Sequence, residues 1–102
     1  MNTIHGNVAT REVEIDGVPL LPHFSQSVRN HSPDGFAWGY GGSGSSQLAL
    51  AILLHFTGDR QAQRFYQRFK LEFVATWPTD QDFTIEVDVL QWLGKCMVES
   101  NS

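Results

Sequence analysis

The sequence predicts an α+β fold: a small N-terminal antiparallel β-sheet packed on a buried central helix, an amphipathic second helix and a C-terminal helix. Three observations carry this. Arg11-Glu12-Val13-Glu14-Ile15 alternates polar and apolar residues, as a half-buried strand does, and Asp16-Gly17 follows it as a hairpin turn. Leu48-Ala49-Leu50-Ala51-Ile52-Leu53-Leu54 is apolar all round, so a helix there must be covered on most sides. Ala62, Phe65, Tyr66, Phe69 and Phe73 then recur at helical spacing along one stripe.

Taken in order, Thr3-Ile4-His5-Gly6 predicts a short strand ahead of the Arg11–Ile15 strand. Val18-Pro19-Leu20 is the return strand of the hairpin. Pro19 donates no ladder hydrogen bond, so that strand belongs at an edge. Residues 21–35 lack a long period, and Pro22, Pro33 and Asp34-Gly35 mark them as loop and turn, with one helical turn at Phe24 to Val28. Phe36-Ala37-Trp38 predicts a short strand leading to the glycines.

The central helix is expected over Ser45 to Phe56, capped by Ser45 or Ser46 and closed by Thr57-Gly58, with Gly58 left-handed. Asp59 is the expected cap of the second helix, which runs to about Ala75 before Trp77-Pro78 stops it. Phe83 to Val89 is ambiguous. It alternates like a strand, yet Ile85, Val89, Trp92, Leu93 and Cys96 fit a helix face, and the reading adopted is a helix from about Ile85 to Val98 capped by Thr84. The tail from Glu99 to Ser102 is expected to fray.

A chain of 102 residues with 41% hydrophobic residues is expected to form one domain over 1–102. A net charge of −4 argues against a general nucleic-acid binder, and no nucleic-acid-reading motif is present. Cys96 is the sole cysteine, which points to a reducing, cytoplasmic compartment, and neither a leader nor a membrane span is legible.

Gly39-Tyr40-Gly41-Gly42-Ser43-Gly44 has the letters G-x-G-x-x-G and precedes a helix. Such glycines let backbone N–H groups approach a pyrophosphate at a helix N-terminus. The βαβ context is missing, because a second helix follows the first and Asp59 begins that helix instead of ending a strand. The absence of a following Lys excludes a P-loop, and the frame excludes a nucleophile elbow. Two readings remain: a scaffold junction packed by Trp38 and Tyr40, which is preferred, or a phosphate or carboxylate site at Gly41, Gly42, Ser43, Gly44, Ser45 and Ser46.

His5, His23, His31 and His55 show no metal-ligand spacing, Cys96 falls on the buried stripe of the last helix, and no cofactor, metal or catalytic residue is assigned. Arg60, Arg64 and Arg68 share one helix face near Lys70, and these four are more than half of the 7 basic residues. Asp80, Asp82, Glu86 and Asp88 form an acidic counterpart. The two groups either neutralise each other or present a bipolar surface to a partner.

Trp38-Gly39-Tyr40-Gly41-Gly42-Ser43-Gly44, followed by Gln47-Leu48-Ala49-Leu50-Ala51-Ile52-Leu53-Leu54, resembles the signature of an uncharacterised family, a domain of unknown function, of small bacterial, plasmid and phage proteins. Arg11 to Leu20, Tyr66 to Lys70 and the late Ile, Trp and Leu positions are similar to its other blocks, so the likeness spans nearly the whole chain. Ser45 departs from the Pro expected there. The resemblance carries no activity. It implies an accessory-gene setting, where small acidic proteins often inhibit host defence systems, as anti-CRISPR proteins do. The expected function is a non-enzymatic module that binds a larger protein or complex through Arg60, Arg64, Arg68, Asp80, Asp82, Glu86 and Asp88. The alternative is a small-ligand binder or enzyme using the glycine loop.

Overall fold

Alternation near the N-terminus becomes a sheet in the computed structural model, which describes residues 1–100. Strands β1 (Asn2–Gly6), β2 (Val13–Ile15) and β3 (Val18–Leu20) are joined by a fourth, β4 (Phe83–Val87), in the order β3-β2-β1-β4, with every neighbouring pair antiparallel. Ile4 pairs with Ile15 on one side and Ile85 on the other, so these side chains share the inner face. Asp16 and Gly17 both have positive φ, 51° and 81°, the geometry of a two-residue hairpin turn. The Asp16 carboxylate accepts from the Thr3 N–H and Asn2 Nδ2, each at 2.8 Å, which lowers its pKa below the usual carboxylate range. Pro19 lies on the edge strand, as its missing donor requires.

The helices are α1 (Pro22–Val28), α2 (Ser43–Phe56), α3 (Asp59–Glu72) and α4 (Val89–Ser100), with a 3₁₀ turn at Val74–Thr76. Helix α2 is central: it touches α1, α3, β3, the 3₁₀ turn and α4. Leu48, Leu50, Ile52 and Leu53 are fully buried on different sides of it, each worth about 1.5–3 kcal/mol of transfer free energy. Ala62, Phe65, Tyr66 and Phe69 of α3 are buried with them, as the stripe requires.

Several expectations are corrected. Residues 83–87 form a strand and not the start of a helix, because Phe83, Ile85 and Val87 pair with Gly6, Ile4 and Asn2 on the otherwise unpaired side of β1. Thr84 is therefore no cap. Asp88 takes that role, its Oδ1 accepting from the Gln91 N–H at 3.0 Å and its carbonyl from the Trp92 N–H at 3.0 Å. Helix α4 continues through Glu99 and Ser100 instead of fraying, with Arg68 Nη1 2.8 Å from Glu99 Oε2, while residues 101–102 of the tail lie outside the described residues.

Residues 22–28 make a full short helix with Pro22 in its first turn, where a missing N–H is harmless. Phe36, Ala37 and Trp38 join no strand; the buried side chains of Phe36 and Trp38 anchor the segment instead. Helix α2 begins at Ser43, and its N-cap is Gly42, neither Ser45 nor Ser46, both of which lie within the first turn and are buried. Gly58 has φ −77° and caps α3, which makes Asp59 the first helical residue, where its Oδ1 accepts from Gln63 Nε2. Helix α3 stops at Glu72, and the 3₁₀ turn carries the chain on to Trp77.

Candidate functional site

The junction before α2 is built on Trp38. Its ring is fully buried, meets Phe83 edge-on at 4.8 Å, and its Nε1–H donates to the Gln81 carbonyl at 3.1 Å. The Arg11 guanidinium lies 5.2 Å from the Trp38 centroid and 3.8 Å from Asp80 Oδ1. Arg11, over the ring, and Asp80, its ion-pair partner, both have positive φ, 62° and 59°.

Gly39 needs to be glycine: its φ is +84°, and a Cβ would come within 2.7 Å of Thr79 Cα and 2.8 Å of the Trp77 carbonyl oxygen. Its N–H donates to the Val74 carbonyl at 2.9 Å, and the Thr79 hydroxyl donates to its carbonyl at 2.8 Å. A Cβ on Gly44 would stand 2.6 Å from Ala37 Cβ and 3.0 Å from Ala37 N, whereas Gly41 faces open space. Packing thus accounts for Gly39 and Gly44. Of the expected ligand residues, Gly41 and Ser43 are exposed, Gly42 is half-buried, and Gly44, Ser45 and Ser46 are buried. The buried Ser45 hydroxyl has no hydrogen-bond partner among the described residues.

Gln47, which follows this loop, carries a role the sequence reading missed. Its fully buried amide accepts from the N–H groups of His31 (2.7 Å) and Ser32 (3.0 Å), and donates to Ser25 Oγ (2.9 Å) and the Arg29 carbonyl (3.2 Å). One side chain thereby fastens α1 and the 29–32 loop to α2. A glutamine in an otherwise apolar run was the available signal, since a buried amide must find partners. His31 Nε2 lies 2.6 Å from the Tyr66 hydroxyl, and burial, then Arg29 and Lys70, push the His31 pKa down.

The charged groups separate by element. Arg60, Arg64 and Arg68 are exposed on α3, but Arg68 is committed: it bonds Glu72 at 3.0 Å and Glu99 at 2.8 Å, and Trp92 Nε1–H donates to Glu72 Oε2 at 2.6 Å. The Trp92 bond, then Arg68, lowers the Glu72 pKa. This network ties α4 to α3. Among the described residues no ion pair joins Arg60 or Arg64 to a carboxylate, and none joins the arginine face to the acidic segment.

The four expected acidic residues play different parts. Asp80 pairs with Arg11, Asp82 Oδ1 accepts from the Val8 N–H at 2.7 Å, Asp88 caps α4, and Glu86 is exposed on β4.

A depression of about 400 Å³, walled by polar and apolar groups alike, opens between β3, α1 and α2, with Leu20, Leu21, Phe24, Ser25, Leu54 and His55 in its lining. Leu21 and Phe24, 57% and 59% exposed, bring large apolar side chains to it. Cys96 is buried on α4, and burial pushes its thiol pKa up. Among the described residues, no three His, Cys, Asp or Glu side chains are grouped to hold a metal ion, and no helix is long and apolar enough to cross a membrane.

Residues 1–95 match the sequence model of a family described as a family of unknown function, DUF6166. Neither a curated protein nor a solved structure matches the chain significantly.

Proposed function

The chain belongs to the family of unknown function DUF6166, and we propose that it acts as a small non-enzymatic protein–protein interaction module. The observation that carries this reading is the segregation of exposed charge: among the described residues Arg60 and Arg64 stand on α3 without a carboxylate partner, while Glu86 and its acidic neighbours stand on and beside β4. Exposed ion pairs are worth about 0–1 kcal/mol, so fold stability gains little from Arg60, Arg64 or Glu86, whereas Asp82 and Asp88 also bond backbone N–H groups. Segregated charge instead steers a complementary surface into register. The resemblance suggests a setting among accessory genes of bacteria and mobile elements, and on that analogy components of a host defence system, the targets of anti-CRISPR-type inhibitors, are the first partners to try.

Tagged protein should recover a larger protein at fixed stoichiometry from a bacterial lysate. Arg60→Glu with Arg64→Glu should reduce that recovery, and Arg68 is left intact because it holds α4. Unchanged recovery removes the α3 face from the reading. Failure to form any stoichiometric complex with purified candidates overturns the reading itself.

A second reading rests on the unpartnered Ser45 hydroxyl in the first turn of α2, beside an N-cap that supplies no side-chain bond. It assigns Gly41 to Ser46 a phosphate or carboxylate. The burial of Gly44 to Ser46 favours scaffold over this reading. Thermal stabilisation by a phosphate-bearing metabolite would support the second reading, and a flat response across a broad panel would end it.

A further inference from the structure

A sheet with two edges offers two places for another chain to add a strand, and here the edges are not equivalent. In β1 the Thr3 carbonyl accepts from the Asp16 N–H at 2.8 Å, so Thr3 and His5 turn their backbone groups toward β2. Asn2, Ile4 and Gly6 therefore bond β4, through Val87, Ile85 and Phe83. The N–H and C=O groups of Thr84 and Glu86 consequently point outward, and no backbone hydrogen bond reaches them among the described residues. At the other edge the same alternation turns Val18 and Leu20 toward β2 and leaves Pro19 facing outward, without a donor. The β3 edge is blunted, while β4 presents five residues with neither Pro nor Gly.

From this geometry we infer that β4 is a strand-addition site, and that its occupant is an extended segment of a partner protein that alternates basic and apolar residues. The inference rests on the interaction-module reading and names its partner chemistry. Strand addition takes affinity from main-chain bonds and specificity from alternate side chains. On the outer face an added strand would lie beside the exposed Thr84 and Glu86 side chains, with Glu14 further across the sheet, and Asp80, Asp82 and Asp88 bracket the strand. His5 lies between Glu14 and Thr84 on that face, its Nδ1 2.8 Å from Thr84 Oγ1; Asp80 is paired with Arg11, so the exposed Glu86, with Asp82 and Asp88 at the two ends of the strand, is what selects Lys or Arg there.

On the inner face Ile85 is only half-buried at the edge of the core. A depression of about 230 Å³ at the Val87 end of the strand has Met1, Phe73, Val87 and Trp92 in its wall, together with Glu86, Asp88 and Lys95. One apolar side chain of the added strand would cover Ile85, and the next along that face would reach this depression. A second copy of this chain is the poorer occupant, because pairing β4 with itself sets Glu86 and its acidic neighbours against their own kind.

The probe is a short peptide of alternating lysine and valine, compared with one of the same composition in two blocks and one with glutamate for lysine. The alternating peptide should bind about tenfold more tightly than either control and weaken as salt is raised. It should slow hydrogen exchange at the Thr84 and Glu86 amides and leave β3 unchanged. Glu86→Lys should reduce affinity about tenfold, and Thr84→Pro, which removes one outward donor, should abolish the protection. If Thr84→Pro fails to fold, Glu86→Lys and the exchange pattern decide. Equal binding of all three peptides, protection at β3 instead, or peptide-free protection of Thr84 and Glu86 that grows with protein concentration each overturns the proposal. A stoichiometric partner complex that survives both variants also overturns it while leaving the interaction-module reading standing.

Discussion

Substituting Gly39 separates a packed junction from a flexible loop. Gly39→Ala places a Cβ at φ +84°, where an L-residue is disfavoured by about 1–2 kcal/mol. The new carbon also meets Thr79 Cα at 2.7 Å and the Trp77 carbonyl at 2.8 Å, both backbone atoms that no rotamer change can move aside. Overpacking of that kind costs about 1–3 kcal/mol, for a sum of roughly 2–5 kcal/mol. In a domain of this size each kcal/mol moves the melting temperature by about 4–8 °C, so a drop of roughly 8–40 °C is expected.

Gly41→Ala is the matched control. Its Cβ enters open space and its φ is not left-handed, so it should be neutral or slightly stabilising, within about 1 kcal/mol. Urea unfolding followed by tryptophan fluorescence reads both, since the buried Trp38 ring sits at this junction. A Gly39→Ala protein within about 0.5 kcal/mol of the parent would refute the steric reasoning. So would a Gly41→Ala protein destabilised as much as Gly39→Ala.

Gln47→Leu should destabilise by about 2–5 kcal/mol in the same assay, because two N–H groups, a hydroxyl and a carbonyl lose their partner; a loss under about 1 kcal/mol would show that water replaces the amide. Gly94→Ala should stabilise by about 1 kcal/mol, since the added Cβ meets nothing within 4 Å in a helix interior; a lower melting temperature would contradict this. The folded protein holds His31 neutral below its ordinary pKa. Its contribution to stability is therefore complete above the unfolded value near pH ~6.5 and is lost as pH falls from there through the lower folded value. His31→Asn should flatten the urea-midpoint difference between neutral and mildly acidic buffer, and an unchanged difference would exclude His31 as its source. The buried Cys96 thiol should react with a small thiol reagent only as fast as α4 opens, and immediate reaction in the absence of denaturant would contradict its burial.

Local patterns determined much of this molecule without reference to its tertiary structure. Asp16-Gly17 dictated a hairpin because both residues tolerate positive φ, Pro19 put its strand at an edge, and the Ala62–Phe69 spacing announced a helix with one buried face. The run from Leu48 to Leu53 declared its own burial, having no polar side to offer water.

What tertiary structure decided were the choices that local energies leave nearly balanced. Residues 83–87 suit a strand or a helix, and the unpaired side of β1 settles the matter by supplying backbone partners some eighty positions away in the chain. Helix α2 starts at Ser43, so Gly44 lies in its first turn against Ala37, where a Cβ would not fit, a contact no short-range pattern encodes. The arginine stripe was legible as a face, but its division into a structural Arg68 and the unpaired Arg60 and Arg64 depended on where α4 set Glu99 and Trp92. Periodicity reports which side of an element is buried. Only assembly of the elements decides which of the remaining polar groups find a partner within the fold and which are left facing outward.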